Sequence, residues 1–370
     1  MRVGLVCPYS LRVPGGVQNQ VLGLARWLKQ AGHGVGVLAP EARSSLLTSE
    51  YGLHPDEVAD AGQAVALGYN GSVARVNMGL APWLLVRRWV ARFDVVHVHE
   101  PVTPSVALLV TWAAARSGVP VVATCHAAVD DDAGVLGWLA GHVPGLAGVA
   151  CLTAVSATAA ATARRRTGRE PVVIGNAIDV AGLEAAAGPV VAGRWRGGVA
   201  PRLGFVGRID EPRKGFDELM AAWPVLRALC PDMELVVVGP GHPRPAPGVR
   251  YLGAVPDAER DRVLGACDVF VAPHRGQESF GIVLVEALAA GAAVVASDIP
   301  AFADVLAGCA SSVLVAPGDA QALVRGVRTA LALPDRGAAA AQGRARAGAF
   351  DWSVIGPAYL RAYQSVLDVE

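Results

Sequence analysis

Val3-Gly4-Leu5-Val6-Cys7 is an apolar run, Gly15-Gly16 interrupts the chain, residues 17–30 follow with helical spacing up to Gly32, and Val35-Gly36-Val37-Leu38-Ala39 is apolar again. A short buried strand, a glycine loop, a helix and a second strand make a βαβ unit. Gly15-Gly16 lets a ligand approach the free N–H groups that open the helix. The loop lacks the G-x-G-x-x-G spacing, which weighs against a dinucleotide.

The alternation continues outward from this unit. Residues 94–99, 120–124, 151–155 and 172–174 read as further strands, and the glycine-rich residues 188–200 read as a linker. A second series then begins, with strands at 202–206, 234–238, 250–252, 269–272 and 293–296. Helices are expected at 216–229, 258–266, 301–306, 319–332, 336–349 and 353–367. A chain of 370 residues exceeds what one core usually holds. The expectation is therefore α/β, with two doubly wound Rossmann-like domains facing each other across a cleft. Residues 1–187 form the first domain, 188–200 the linker and 201–350 the second, and the helix in 351–370 packs back on the first.

A formal net charge of zero excludes a nucleic-acid binder whose affinity rests on neutralising phosphates. The six cysteines show no C-x-x-C spacing and sit in apolar surroundings, as free thiols do in a reducing cytoplasm. The N-terminal apolar run ends at Pro8, too early for a secretory leader. No apolar run reaches spanning length: residues 106–115 follow Pro101 and Pro104, and the run after Gly281 contains Glu286.

The chemistry concentrates in Pro273-His274-Arg275-Gly276-Gln277-Glu278-Ser279-Phe280-Gly281, which leads into an apolar helical run through Gly291. If that helix starts near Gly281, Glu278 lies just outside its N-terminus and Glu286 one turn inside. The free N–H groups of the first turn attract anions, and carboxylates accept from sugar or ribose hydroxyls. Together they describe a nucleotide-sugar site. The alternative is that Glu286 pairs with an arginine elsewhere in the chain and Glu278 is a solvated loop residue.

Upstream, Gly207-Arg208-Ile209-Asp210-Glu211-Pro212-Arg213-Lys214-Gly215 joins the first strand of the second domain to its helix. Arg208 and Lys214 on that edge suit a diphosphate and stabilise its leaving charge without a metal. Only two of the 32 basic residues, Lys29 and Lys214, are lysines, so a lysine here weighs against a merely solvated charged loop. His126 ends a strand at the ligand edge, where a contact is favoured over a structural role. His97-x-His99 has no third ligand in view and is a poor metal pair. Asp130-Asp131-Asp132 reads as an acceptor-side loop or solvated charge. Trp83-Leu84-Leu85-Val86-Arg87-Arg88-Trp89-Val90-Ala91-Arg92 suits a helix on an anionic membrane surface, or an ordinary helix burying Leu85 and Trp89.

Glu278 through Glu286 resembles the E-x7-E element of retaining GT-B glycosyltransferases. The chain is similar to the actinobacterial phosphatidyl-myo-inositol mannosyltransferases in particular. Matching stretches are Val6 to Ser10, Pro14 to Gln18, Tyr69 to Arg75, His97 to Pro101, Asp210 to Gly215 and Glu278 to Ala287. The resemblance implies retaining mannosyl transfer from GDP-mannose to the inositol of phosphatidylinositol, on or near the membrane's inner face, with the leaving phosphate taking the proton. No metal and no cofactor are implied.

By the same resemblance, Gly16, Arg208 and Lys214 hold the diphosphate, and His126 faces the transferred sugar. Glu278 takes the sugar's hydroxyls, Glu286 the ribose, and Asp257 and Arg260 the guanine end. Ser279, Phe280, Gly281 and Ile282 complete the donor set, and Tyr9, Gln18, Tyr69, Asn70 and Arg75 lie on the acceptor side. One departure stands out. Where the family has a Thr/Ser-rich loop with a lysine, this chain has Ala127-Ala128-Val129-Asp130-Asp131-Asp132. Aspartates there repel an anionic lipid phosphate, which keeps a soluble neutral or cationic cyclitol open as acceptor. A sugar-nucleotide epimerase and a non-catalytic nucleotide-sugar binder are the more distant alternatives.

Overall fold

The central strands of the two main sheets are short apolar runs, rich in valine, leucine and alanine and buried over most of their length, as parallel strands covered by helices on both faces require, while those at and near the sheet edges are only partly buried. The computed structural model describes residues 1–13, 15–42, 51–69, 72–77, 83–103, 105–128, 146, 148–188 and 200–368. They form two compact units, Met1–Ala177 with Trp352–Glu370, and Ile178–Asp351. Each is a Rossmann-like α/β domain.

The N-terminal unit holds strands β1 (Arg2–Val6), β2 (Gly34–Ala39), β3 (Val58–Asp60), β6 (Val95–His99), β7 (Val121–Cys125), β8 (Val149–Ala154) and β9 (Val172–Val173), and a separate antiparallel hairpin of β4 (Val65–Tyr69) and β5 (Ser72–Val76). Its helices are α1 (Gly16–Gln30), α2 (Trp83–Val90), α3 (Val106–Ser117), α4 (Ala157–Thr167) and, from the chain's end, α12 (Trp352–Leu367). The seven-stranded sheet is parallel, in the order β3-β2-β1-β6-β7-β8-β9.

The C-terminal unit holds β10 (Arg202–Val206), β11 (Glu234–Val238), β12 (Val249–Gly253), β13 (Val269–Ala272), β14 (Ala293–Ser297) and β15 (Ser312–Val315). These run parallel in the order β12-β11-β10-β13-β14-β15. Its helices are α5 (Val180–Ala187), α6 (Phe216–Leu229), α7 (Asp257–Ala266), α8 (Ile282–Ala289), α9 (Pro300–Leu306), α10 (Ala320–Leu331) and α11 (Arg336–Gly348).

Both sheets reverse their strand order once, between β1 and β6 and between β10 and β13. Such reversals leave a crevice at the strands' carboxyl ends, the usual ligand position in open α/β sheets.

Two sequence expectations change. The units divide at Ala177 and Ile178, not at 188–200, so residues 178–187 move to the C-terminal unit. The reason is packing: α5 buries Leu183 and lies so close to α7 that a Cβ on Gly265 would stand 2.5 Å from Ala187. Residues 189–199 of the expected linker lie outside the described residues. The β4–β5 hairpin, β3 and β15 had no reading as strands, because strands this short carry little periodic signal.

Trp352 opens α12 against α1: a Cβ at Gly23 would meet Trp352 at 2.6 Å, and one at Gly356 would meet Trp27 at 2.3 Å. Tyr363, fully buried, carries α12 down to the sheet, where its hydroxyl lies 2.8 Å from His97 Nδ1.

Candidate functional site

In the C-terminal unit, β10 and β13 are neighbours, so the loops leaving them run side by side. The β10 loop makes a tight turn at Pro212–Lys214 that ends on Gly215, φ +67°, where a Cβ would stand 1.7 Å from the Pro273 carbonyl oxygen. Only glycine allows that approach. It sets Lys214 against the β13 loop, and Lys214 Nζ donates to Glu278 Oε2 at 2.8 Å. Arg213 Nη1 reaches the same oxygen at 3.4 Å, and its Nη2 lies 3.1 Å from Glu211 Oε2. Arg208 Nη1 pairs with Glu211 Oε1 at 3.1 Å. Three cations share two carboxylates in this network.

Burial alone would push the Glu278 carboxyl up, but Lys214, His274 and Arg213 outweigh it and hold it at about 2. Glu278 is therefore a carboxylate at any physiological pH.

Gly281 caps α8 with φ +92° and has no room for a side chain, since a Cβ would come within 2.6 Å of Phe302. Ser279 N–H donates to Glu278 Oε1 at 3.3 Å, and Phe280 turns inward, its ring edge-on to Phe350 at 5.4 Å. Phe280 thus contributes backbone, not its ring, to this edge. The Leu284 N–H donates to the Gly281 carbonyl at 2.9 Å, and the N–H groups of Ile282 and Val283 at the start of the helix suit an anion.

One turn into α8, Glu286 is 7% exposed, with Oε1 3.4 Å from Arg260 Nη2. Arg260 also holds Asp257 at 3.0 Å and Asp261 at 2.8 Å. Burial drives the Glu286 carboxyl up, Arg260 pulls it back in part, and Asp261 and Asp257 add to the rise, leaving it at about 7. The arginine that the structural alternative required for Glu286 is Arg260, the residue the resemblance places at the donor's base.

In the N-terminal unit, the β1 loop and the ends of β6 and β7 gather at the other reversal. Gly16 begins α1, and a Cβ there would meet nothing within 4 Å. Gln18 Nε2 donates to the carbonyls of Ser10 and Val13 at 3.2 and 3.1 Å, so its amide braces the loop that carries Tyr9. Tyr9 forms an isolated bridge with Val76, and Arg75 is exposed beside it on β5.

His126 follows β7 and is 7% exposed; its Nε2 lies 2.8 Å from His99 Nδ1. Glu100, buried with φ +51°, accepts from the backbone N–H groups of His126 and Ala127 at 2.5 and 2.7 Å. Burial pushes the Glu100 carboxyl up against the pull of those two N–H groups. Burial also lowers His126 to about 3, and lowers His97 to about 3 with His126 adding to the effect. His99 lies well below the ordinary range for the same reason, with His97 and His126 contributing. Near neutrality His126 is a neutral hydrogen-bonding group, not a charged acid.

His97 is occupied on both nitrogens, by Tyr363 and by Thr124 Oγ1 at 2.6 Å, which removes it as a metal ligand. Among the described residues no group of three His, Cys, Asp or Glu is placed to hold a metal.

Residues 200–332 match the family described as Glycosyl transferases group 1, and residues 14–181 match Glycosyltransferase Family 4. A phosphatidyl-myo-inositol mannosyltransferase from Propionibacterium freudenreichii subsp. shermanii is 46% identical over 371 residues, covering 98% of this chain and 94% of that one. Another, from Mycolicibacterium smegmatis, is 41% identical across 99% of this chain and 94% of its own. The chain belongs to the phosphatidyl-myo-inositol mannosyltransferase family of glycosyltransferases. Solved structures agree on the fold: Anabaena Alr3699/HepE in complex with UDP and glucose superposes with a TM-score of 0.75 at 20% identity, over 98% of this chain and 99% of that one. Sucrose-phosphate synthase from Thermosynechococcus elongatus does so at 0.69 and 20% identity, over 100% of both chains.

In this mannosyltransferase-family chain the charged residues expected at the donor form two groups within the C-terminal unit, Arg208, Lys214 and Glu278 in one and Asp257, Arg260 and Glu286 in the other, whereas Gly16, also expected at the diphosphate, lies in the N-terminal unit. Asn70, the side chain of Tyr69 and Asp130 to Asp132 lie outside the described residues. Sequence reading missed Glu211, Arg213, Asp261, Glu100 and His274. Glu211, Arg213 and Glu100 stand inside stretches that carried the resemblance, and His274 inside the β13 loop. No spacing rule distinguishes them from solvated neighbours: Glu100, Arg213 and His274 face groups from other parts of the chain, and Glu211 and Asp261 pair with nearby arginines as solvated surface residues also do.

On α2, Trp89 is buried as the ordinary-helix reading expects, but Leu85 is not. Leu84 and Leu85 are 62% and 41% exposed, beside exposed Arg87 and Arg88. Trp83 packs on Trp112 of α3, itself 46% exposed, with Arg116 over its ring. No helix among the described residues is long and apolar enough to cross a membrane.

Proposed function

We propose that this protein transfers a mannosyl residue from GDP-mannose to the inositol ring of phosphatidylinositol, with retention at the anomeric carbon and with neither metal nor cofactor. The observation that carries the donor half is the Lys214–Glu278 pair, standing at the strand reversal beside Arg208 and the open N-terminus of α8. A diphosphate draws on Lys214, Arg208 and the first-turn N–H groups. Glu278, relieved of part of its ion pairing, accepts from hexose hydroxyls. Glu286 takes the ribose, and Asp257 and Arg260 the guanine end.

In the reaction, the bond from the anomeric carbon to the diphosphate oxygen breaks and an inositol oxygen bonds to that carbon. The inositol proton passes to the leaving diphosphate. Lys214 and Arg208 offset the charge that develops. No side chain then acts as nucleophile, and a neutral His126 serves as a hydrogen-bonding group toward the sugar.

Phosphatidylinositol as acceptor is supported by the names of the full-length relatives. The exposed Leu84, Leu85 and Trp112 with Arg87, Arg88 and Arg116 suit docking on an anionic bilayer at the membrane's inner face, apolar groups entering the interface and cations meeting the headgroups.

The test is product analysis with GDP-mannose against UDP-glucose as donors, and phosphatidylinositol against soluble cyclitols as acceptors, with NMR assignment of the anomeric configuration. An α-mannosyl lipid formed from GDP-mannose is expected. Product from UDP-glucose alone refutes the donor, and product on soluble cyclitols alone refutes the lipid acceptor.

A further inference from the structure

His274 lies in the loop just past β13 with 1% of its surface exposed, and neither ring nitrogen makes a hydrogen bond of full geometry among the described residues, the Ala272 carbonyl being its nearby backbone acceptor. A buried imidazole whose nitrogens lack hydrogen bonds of full geometry is destabilising. Its apolar neighbour, Phe302, meets it edge-on at 4.9 Å, so nothing on that side repairs the deficit. Its Nε2 faces Glu278 Oε2 at 3.7 Å, too far for a hydrogen bond. That oxygen is already occupied by Lys214 at 2.8 Å, with Arg213 at 3.4 Å.

Diphosphate binding changes this balance. The ammonium of Lys214 is then shared with phosphate oxygens, and Glu278 Oε2 loses part of its strongest donor. The carboxylate still has to be held in place to receive a sugar hydroxyl. Resting on the donor-site reading above, we propose that His274 is a positioning residue: its Nε2–H donates to Glu278 when the diphosphate engages Lys214, and fixes the carboxylate for the transferred hexose.

The imidazole suits that task because it is neutral. Burial, with Lys214 and Arg213 nearby, lowers it to about 3 despite the opposing pull of Glu278 and of the Ala272 carbonyl. A third cation would compete with Lys214 for Glu278 before any donor arrived, whereas a neutral donor waits. Gln277, with φ +53°, and Gly276, with φ +147°, hold the turn that points Glu278 back toward His274. Glycine takes such a φ freely, whereas the left-handed conformation of Gln277 persists because the surroundings enforce it.

The experiment compares His274→Gln with His274→Met in the full chain. The two side chains match in length and flexibility, and only Gln offers an N–H. The measurements are kcat, the KM for GDP-mannose, and Tm with and without GDP-mannose. The Gln variant should exceed the Met variant in kcat by roughly tenfold or more, the worth of one hydrogen bond to a charged group. Tm without donor should be no lower in the Met variant, which buries no unmatched polar group, so a kcat advantage of Gln cannot come from stability, and KM should differ less than kcat. A kcat ratio below threefold overturns the inference, because losses shared by both variants report packing. A wild-type protein that binds no GDP-mannose overturns the donor-site reading and this inference with it. A wild type that turns over, beside equal Gln and Met variants, overturns the inference alone.

Discussion

Replacing Glu286 by Gln separates ligand binding from structure at the second carboxylate of the E-x7-E element. The wild-type carboxyl, buried beside Arg260, Asp261 and Asp257, ionises at about 7, against an ordinary value of 4.5. Because the folded value is raised, the stability that comes from retaining this proton is fully present below pH 4.5 and is lost as pH rises through 7. The difference, converted at 1.36 kcal/mol per pH unit, is about 3 kcal/mol. Gln does not titrate, and Arg260 keeps Asp257 and Asp261 as partners.

The stability of Glu286→Gln minus that of wild type, from urea unfolding at half-unit pH steps, should therefore climb by about 3 kcal/mol between pH 4.5 and 7 and then level off. The buried histidines, whose lowered values act in the opposite sense below pH 6.5, cancel in this difference. The donor KM should respond separately. An ionised carboxylate accepts from two ribose hydroxyls and an amide oxygen does so less well, so KM for GDP-mannose at pH 8 should rise roughly tenfold. In the wild type, donor affinity should improve as pH rises through 7. A flat difference curve refutes the buried, uncharged carboxyl. An unchanged KM with a lower Tm at every pH refutes the ribose contact and leaves Glu286 as a packing partner of Arg260.

Lys214→Ala and Arg208→Ala should each lower kcat/KM by roughly 10²- to 10³-fold, since each leaves leaving-group charge unmatched; steady-state kinetics near wild type in either variant would remove that residue from the diphosphate. Turnover should be insensitive to EDTA, because the diphosphate charge is met by side chains; rescue of an EDTA-inhibited enzyme by Mg²⁺ or Mn²⁺ would contradict this. Arg87→Ala with Arg88→Ala should weaken flotation with phosphatidylinositol-containing anionic vesicles by about 2 kcal/mol, about 1 kcal/mol per basic residue. The wild-type binding should itself fade with added salt, and salt-independent flotation would argue against the α2 surface.

Strand–helix alternation was legible because it depends on local composition: buried parallel strands are continuous apolar runs, and most helices show their caps and periodicity. Residues 202–206, 216–229 and 234–238 were read with the bounds the structure gives. The domain boundary was not legible. Glycine content marks a flexible stretch, but which core claims α5 depends on a face-to-face contact with α7 that leaves no trace along the chain.

For the candidate site, the sequence by itself determined the charged residue types and their loops: Lys214, one of only two lysines in an arginine-rich chain, Arg208, and two carboxylates spaced to bracket a helix N-terminus. These follow from spacing and the cost of burying charge, which act within a few residues of chain. Only the tertiary structure decided the pairings. Lys214 meets Glu278 because β10 and β13 are adjacent. Arg260, not a residue beside it in sequence, answers Glu286. His99 and Glu100 fix His126 because β6 lies next to β7, and His274 is set beside Glu278 with its nitrogens lacking hydrogen bonds of full geometry. Hydrogen bonds and ion pairs act over about 3 to 4 Å, and residues tens of positions apart come that close only when the sheet order places their strands side by side.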